Sequence, residues 1–213
     1  MASKVESVRG PQATIHFAAG RCIHARHCVL DRPDVFVPNV AGEWIHPERA
    51  SAEAIAGLAA NCPSGAITCT RHDGKPDEAP PLVNTARLRE NGPLAFHAEL
   101  ALPGGERALR ATLCRCGASA NKPFCDGSHA TSGFSASGEP KAVESQPLAA
   151  RAGTLTVSPQ ANGPLKLSGA LELISGTGRT LNRVTETYLC RCGASANKPY
   201  CDGSHKRVGF KSA

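Results

Sequence analysis

Residues 113–134 read LCRCGASANKPFCDGSHATSGF, and residues 189–210 read LCRCGASANKPYCDGSHKRVGF. Eighteen of the 22 positions are identical, at a constant offset of 76. So close a repeat is the mark of a duplicated structural unit. The repeat reaches upstream, where Asn91-Gly92-Pro93-Leu94 returns as Asn162-Gly163-Pro164-Leu165. Between Asn91 and Cys114 lie 22 residues, against 27 between Asn162 and Cys190. The turn-formers Pro103-Gly104-Gly105 and Ser175-Gly176-Thr177-Gly178 stand in those intervals, as in hairpin loops of unequal length. Leu94 and Phe96 in one copy, and Leu171 and Leu173 in the other, follow the period of two expected of strands. Each unit therefore reads as a few short strands followed by a cysteine-rich loop.

The loops carry the chemistry. Each offers four metal-binding side chains in the same order: Cys114, Cys116, Cys125 and His129, then Cys190, Cys192, Cys201 and His205. Three thiolates and one imidazole suit either a tetrahedral zinc site or the outer coordination of a two-iron cluster. Zinc sites usually separate paired cysteines by about two to four residues, and the C-x-C pair is tighter than that. Spacing leans away from zinc without deciding the matter. The chain has ten cysteines, and its start (Met1-Ala2-Ser3-Lys4-Val5-Glu6) lacks the apolar stretch of an export signal. In a reducing cytoplasm, metal binding takes precedence over disulfides.

The string C-x-C-x2-S-x3-P-x-C-D-G-S-H resembles the signature of the CDGSH (mitoNEET-like) iron–sulfur family. Cys114, Cys116, Ser119, Pro123, Cys125, Asp126, Gly127, Ser128 and His129 match it without a gap. So do Cys190, Cys192, Ser195, Pro199, Cys201, Asp202, Gly203, Ser204 and His205. The resemblance implies one [2Fe–2S] cluster in each repeat. By analogy, the C-x-C pair holds the inner iron, and the third cysteine with the histidine holds the outer one. The family is known mainly as dimers, so a chain carrying both halves is expected to form an intrachain pseudo-dimer, as a monomer with internal two-fold symmetry. Two separately folded beads are the simpler alternative, but so small a unit buries little apolar surface alone.

Exchanging one thiolate for a neutral imidazole leaves a cluster less negative and easier to reduce than an all-cysteine centre. An imidazole also protonates in mild acid, which should loosen the iron on that side. Asp126-Gly127-Ser128 and its copy are placed either to start a helix with the aspartate capping it, or to form a simple turn. Lys122 and Lys198 read as screening charges or as ordinary surface lysines.

Upstream lies a different unit. Cys22-Ile-His-Ala-Arg-His-Cys28, followed by Asn61-Cys62-Pro63-Ser64-Gly65, resembles a divergent single-cluster ferredoxin. In that family C-x2-C-x2-C and a later C-P hold [4Fe–4S]; here Ala25 stands where the second cysteine would be. Cys22, Cys28 and Cys62 suit [3Fe–4S], or four irons with His24 or His27 as the odd ligand, or a fold that has lost its cluster. Thr14-Ile15-His16-Phe17 and Ala66-Ile67-Thr68-Cys69 read as strands, with Cys69 packed rather than ligating. Ser51 is placed to cap a helix that buries Ile55, Leu58 and Ala59.

The expected fold is α+β and β-rich. A ferredoxin-like domain spans 12–70 and a linker 71–81. The CDGSH domains span 82–134 and 151–213, joined by a connector at 135–150. No nucleophile–base or phosphate-loop pattern appears, and His46, His72 and His97 stand alone, so an enzyme is not expected. The net charge of +6 is spread without a dense basic run, so the balance alone says little, and nucleic acid is not expected as a partner. No apolar run is long enough for a membrane span. The expected role is electron transfer or redox sensing with two [2Fe–2S] clusters and an unknown redox protein as partner. Cluster delivery to an apo-protein is the alternative, and a zinc-stabilised interaction module a more distant one.

Overall fold

In the computed structural model, which describes residues 5–212, the chain divides into two units, one ending at Ala79 and the other starting at Pro80. The architecture is α+β and β-rich. The first unit has a three-stranded antiparallel sheet in the order β1 (Val5–Arg9), β2 (Ala13–Ala18), β3 (Ile67–Arg71). Between β2 and β3 lie α1 (His27–Asp31) and α2 (Ala52–Ala60). The Ser51 hydroxyl accepts a hydrogen bond from the Ala54 N–H (3.3 Å), which caps α2. Ile55, Leu58 and Ala59 then face a core of Ala13, Ile15, Val35, Phe36, Ile45 and Ile67. Arg71 closes this unit, bonding Asp73 and Glu53 through its guanidinium while its N–H donates to Asp77. Residues 71–77 are thus fastened to the first unit.

The second unit is one six-stranded sheet assembled from both repeats. The first repeat supplies β4 (Thr85–Leu88), β5 (Leu94–Ala101) and β6 (Arg107–Leu113). The second supplies β7 (Thr154–Pro159), β8 (Leu165–Ile174) and β9 (Thr180–Leu189). Hairpins β5–β6 and β8–β9 turn at the two stretches of unequal length noted above. Within each repeat the first strand pairs antiparallel with the second: Thr85 opposite His97, and Thr156 opposite Ser168. The other edge of each first strand pairs parallel with the opposite repeat: Thr85 beside Glu172, and Thr154 beside Glu99. Leu88, Leu94, Phe96, Leu100 and Leu113 share one core with Leu155, Leu165, Leu171, Leu173 and Leu189. Neither repeat has a core of its own.

Asn84 fastens the exchange. It is fully buried; its side-chain N–H2 donates to the carbonyls of Gly153 (2.8 Å) and Ala170 (3.0 Å), and its Oδ1 accepts from Glu99 (3.3 Å). Asn84→Ala removes three hydrogen bonds made by a side chain with no exposure of its own, and a loss of about 2–3 kcal/mol is expected. An unchanged urea midpoint would contradict that role. Residues 135–150 lie along the sheet rather than loose. Ala136 donates to Asn91, Gly138 to Glu90, and Val143 to the Leu181 carbonyl.

Candidate metal centres

Each cysteine loop begins where its last strand ends. Cys114 follows β6 and Cys190 follows β9, and the N–H of each donates to a proline carbonyl, Pro123 or Pro199 (both 2.8 Å). The bonds preceding both prolines are cis. Gly117 and Gly193 have φ of +84° and +80°, which turns the chain back directly after each C-x-C pair. Ser119 and Ser195 brace the loops by donating to the Phe124 and Tyr200 carbonyls (both 2.7 Å).

The donors stand as pairs. Cys114 Sγ is 3.7 Å from Cys116 Sγ, and Cys125 Sγ is 3.4 Å from His129 Nδ1. In the second loop the same separations are 3.8 Å for Cys190–Cys192 and 3.4 Å for Cys201–His205. Among the described residues, no three such groups converge on a single ion position. The hydrogen bond with Cys114 pulls the Cys116 thiol down and pushes Cys114 up. Burial raises Cys125, as do the nearby charges of Cys114 and Asp126. A cationic metal would favour the thiolates that burial disfavours.

The aspartates hold the loops closed. Asp126 accepts from the Ala120 N–H (2.7 Å) and from both the N–H and hydroxyl of Ser128 (3.0 and 2.6 Å). Asp202 accepts from Ala196 (2.8 Å) and Ser204 (2.9 Å), and these bonds hold it well below the usual carboxylate range. A short helical turn follows each, a 3-10 turn at Ser128–Ala130 and α3 at Ser204–Arg207. Lys122 and Lys198 are committed elsewhere, each donating its ammonium to a serine carbonyl, Ser119 or Ser195.

Two further pairs of residues escaped the reading of the sequence. Arg115 and Arg191, the middle residues of the C-R-C triplets, are each only 1% exposed. Arg115 donates to the carbonyls of Gly92 (3.0 Å), Arg89 (2.6 Å), Ser137 (3.1 Å) and Ala136 (3.1 Å). Arg191 donates to Gly163 (3.1 Å), Gln160 (2.6 Å) and the Ser212 hydroxyl (2.9 Å). The repeated Asn-Gly-Pro-Leu turns thus recur because they receive these guanidinium groups. Burial pushes both guanidinium groups below their ordinary value, opposed on Arg115 by Glu90 and then by Cys190 of the opposite loop, and on Arg191 by Cys114 of the opposite loop. Gly117 and Gly193 form the second pair. A Cβ on Gly117 would lie 2.6 Å from the Cys192 carbonyl oxygen, and one on Gly193 would strike the Cys116 carbonyl. The two sites abut.

In the first unit, Cys22, Cys28 and Cys62 lie within electrostatic reach of one another. Burial raises the Cys22 thiol, and the Cys62 charge raises it further. Burial raises Cys28 as well, with added contributions from Cys22 and Cys62. Cys28 sits in the first turn of α1, and Cys62 just beyond the C-terminus of α2. His24 and Arg26, at φ of +54° and +65°, bend the segment between Cys22 and Cys28. Cys69 packs against the core, while His24 and His27 are exposed. Of the isolated histidines, His46 contacts Glu48 (3.3 Å) and His72 bonds Thr14 (3.0 Å), whereas burial lowers His97.

Two known families match the chain, one over each unit. The family described as an iron-binding zinc finger of CDGSH type matches residues 85–130 and again 162–206. A second family, a divergent 4Fe-4S mono-cluster, matches residues 8–72. The chain is a tandem CDGSH-type iron–sulfur protein with a divergent mono-cluster domain at its N-terminal side. No curated protein matches it. Among the described residues, no helix is long and apolar enough to cross a membrane.

Proposed function

We propose that the second unit holds two [2Fe–2S] clusters and serves electron transfer or redox sensing rather than catalysis. Cys114, Cys116, Cys125 and His129 would hold one cluster, and Cys190, Cys192, Cys201 and His205 the other. The observation that carries this reading is the division of each donor set into two pairs, since a two-iron centre takes two protein ligands per iron. The reciprocal strand exchange supports a covalently linked pseudo-dimer, with one copy of the chain sufficing. When bound, the clusters would supply a one-electron couple; the chain's own part is to orient the ligands, brace the loops and bury one sulfur of each C-x-C pair, Cys114 or Cys190. The cytoplasm, a reducing compartment, would keep the thiols available.

Counting iron and acid-labile sulfide in the purified protein tests the proposal. About four of each per chain, with visible charge-transfer absorption, is expected from the second unit alone. Zinc in a colourless preparation would overturn the reading. A further three or four irons would assign a cluster to Cys22, Cys28 and Cys62, the reading favoured by the mutual proximity of those thiols and by the matched family. Exchange of an imidazole for a thiolate adds negative charge, so His129→Cys should lower its cluster's midpoint by on the order of 100 mV. Voltammetry showing no shift would remove His129 from the ligand set. Delivery of whole clusters remains the second reading, on the half-buried position of both histidines. Colour passing to an apo-ferredoxin would favour it.

A further inference from the structure

The two loops differ at few positions, and the differences collect in one place. Directly after His129 the first loop has Ala130, Thr131 and Ser132, with Ser135 beyond Phe134. At the equivalent positions after His205 stand Lys206, Arg207, Val208 and Lys211. The second site thus gains three positive charges that the first lacks. Lys206, Arg207 and Lys211 are all exposed, and Val208 beside them is 50% exposed. Arg207 donates to the Ser204 hydroxyl (3.1 Å), and among the described residues none of the three cations has an ion-pair partner. The nearest carboxylate in the loop, Asp202, is turned inward to the Ala196 and Ser204 N–H groups.

We propose that this basic rim makes the second site the docking face for a small acidic electron-carrier protein, with the first site as its internal partner. The proposal rests on the electron-transfer reading above. Charges set around a redox centre steer an oppositely charged partner and fix its approach, an effect that salt screens over about 8–10 Å. An electron arriving at the second site has an onward route, because the Cys192–Gly193 backbone abuts Cys116–Gly117 of the first. Nucleic acid fits the rim less well. It needs a longer track of phosphate-binding cations and open aromatic faces. Of the two aromatic rings in this loop, Tyr200 packs against the core, and Phe210 already has the Arg191 guanidinium at 5.4 Å and the Lys122 ammonium at 5.8 Å.

The test is binding of the holoprotein to an acidic plant-type [2Fe–2S] ferredoxin by calorimetry at low and high salt. A triple variant, Lys206→Ala, Arg207→Thr and Lys211→Ser, places in the second loop residues the first already carries, and iron content verifies its folding. The expected result is about tenfold weaker binding at low salt and a much flatter salt dependence. Moving the cations the other way, with Ala130→Lys, Thr131→Arg and Ser135→Lys, should add a second equivalent of bound ferredoxin. Unchanged affinity and salt slope in the triple variant would overturn the proposal. So would binding of a single-stranded oligonucleotide that the triple variant loses, if ferredoxin does not bind. Titration with dithionite separates the levels: clusters that take no electrons overturn the electron-transfer reading itself, whereas reducible clusters with unaltered docking overturn only the basic rim.

Discussion

Replacing Arg115 with methionine is expected to lower the unfolding free energy by about 4 kcal/mol and to cost the first site its iron. The side chain is 1% exposed and donates to four carbonyls from two segments, the β4–β5 turn and residues 136–137. Removing it strands those acceptors, two of which, the Gly92 and Ala136 carbonyls, belong to buried residues, and methionine fills the space without supplying a donor. Hydrogen bonds from a charged donor are each worth about 1.5–3 kcal/mol, and partial relaxation keeps the total below their sum. Lysine is not a conservative replacement, because one ammonium cannot span the fork that a guanidinium covers. Since Arg115 lies between Cys114 and Cys116, slackening its anchor also frees the pair of sulfurs. Arg107→Ala is the comparison: that side chain is 65% exposed and its loss should cost under about 0.5 kcal/mol. A urea midpoint for Arg115→Met equal to that of Arg107→Ala would refute the account.

Gly117→Ala should damage the second site at least as much as the first. Its φ of +84° imposes a local cost of about 1–2 kcal/mol on any L side chain. The larger cost is steric, because the added carbon meets the Cys192 carbonyl at 2.6 Å, and backbone has no rotamer with which to yield. Gly127→Ala isolates the first term: its φ is +88°, in the same loop, yet nothing lies within 4 Å of its Cβ position. Marking the second centre with His205→Cys separates the two spectra. In that background Gly117→Ala is expected to shorten the lifetime of the second centre about tenfold, whereas Gly127→Ala leaves it near the parent value. Equal effects of the two alanines on the second centre would show that the loops do not depend on each other.

Much of the site was legible because the chain states it twice. The candidate ligand residues and the bracing serines stand at matched positions, the hairpin stretches recur in the same order at unequal lengths, and the Ser51 cap and Cys69 in β3 followed from local rules. The arginines were not legible, since an Arg between cysteines reads as surface charge until the Asn-Gly turns fold back over it. Nor does pairing partner follow from alternation: β4 presents one pattern of apolar residues, and nothing in Thr85–Leu88 says that one edge goes to β5 and the other to β8. The stretch 135–150 has the composition of a tether but is held by side chains of Glu90 and Asn91 whose role only the turn geometry reveals.

The crossing of β4 to β8 and of β7 to β5 bears on how the polypeptide is made. While the ribosome is still decoding the second copy, the first has Thr85–Leu88 bonded along one side only, with the complement about 90 residues from being synthesised. Such distant pairing is slow to form and leaves an adhesive strand uncovered in the meantime. Prosthetic-group insertion would then have to await synthesis of the second copy, and a message truncated after Phe134 would yield an unclosed, aggregation-prone fragment rather than half of a working protein.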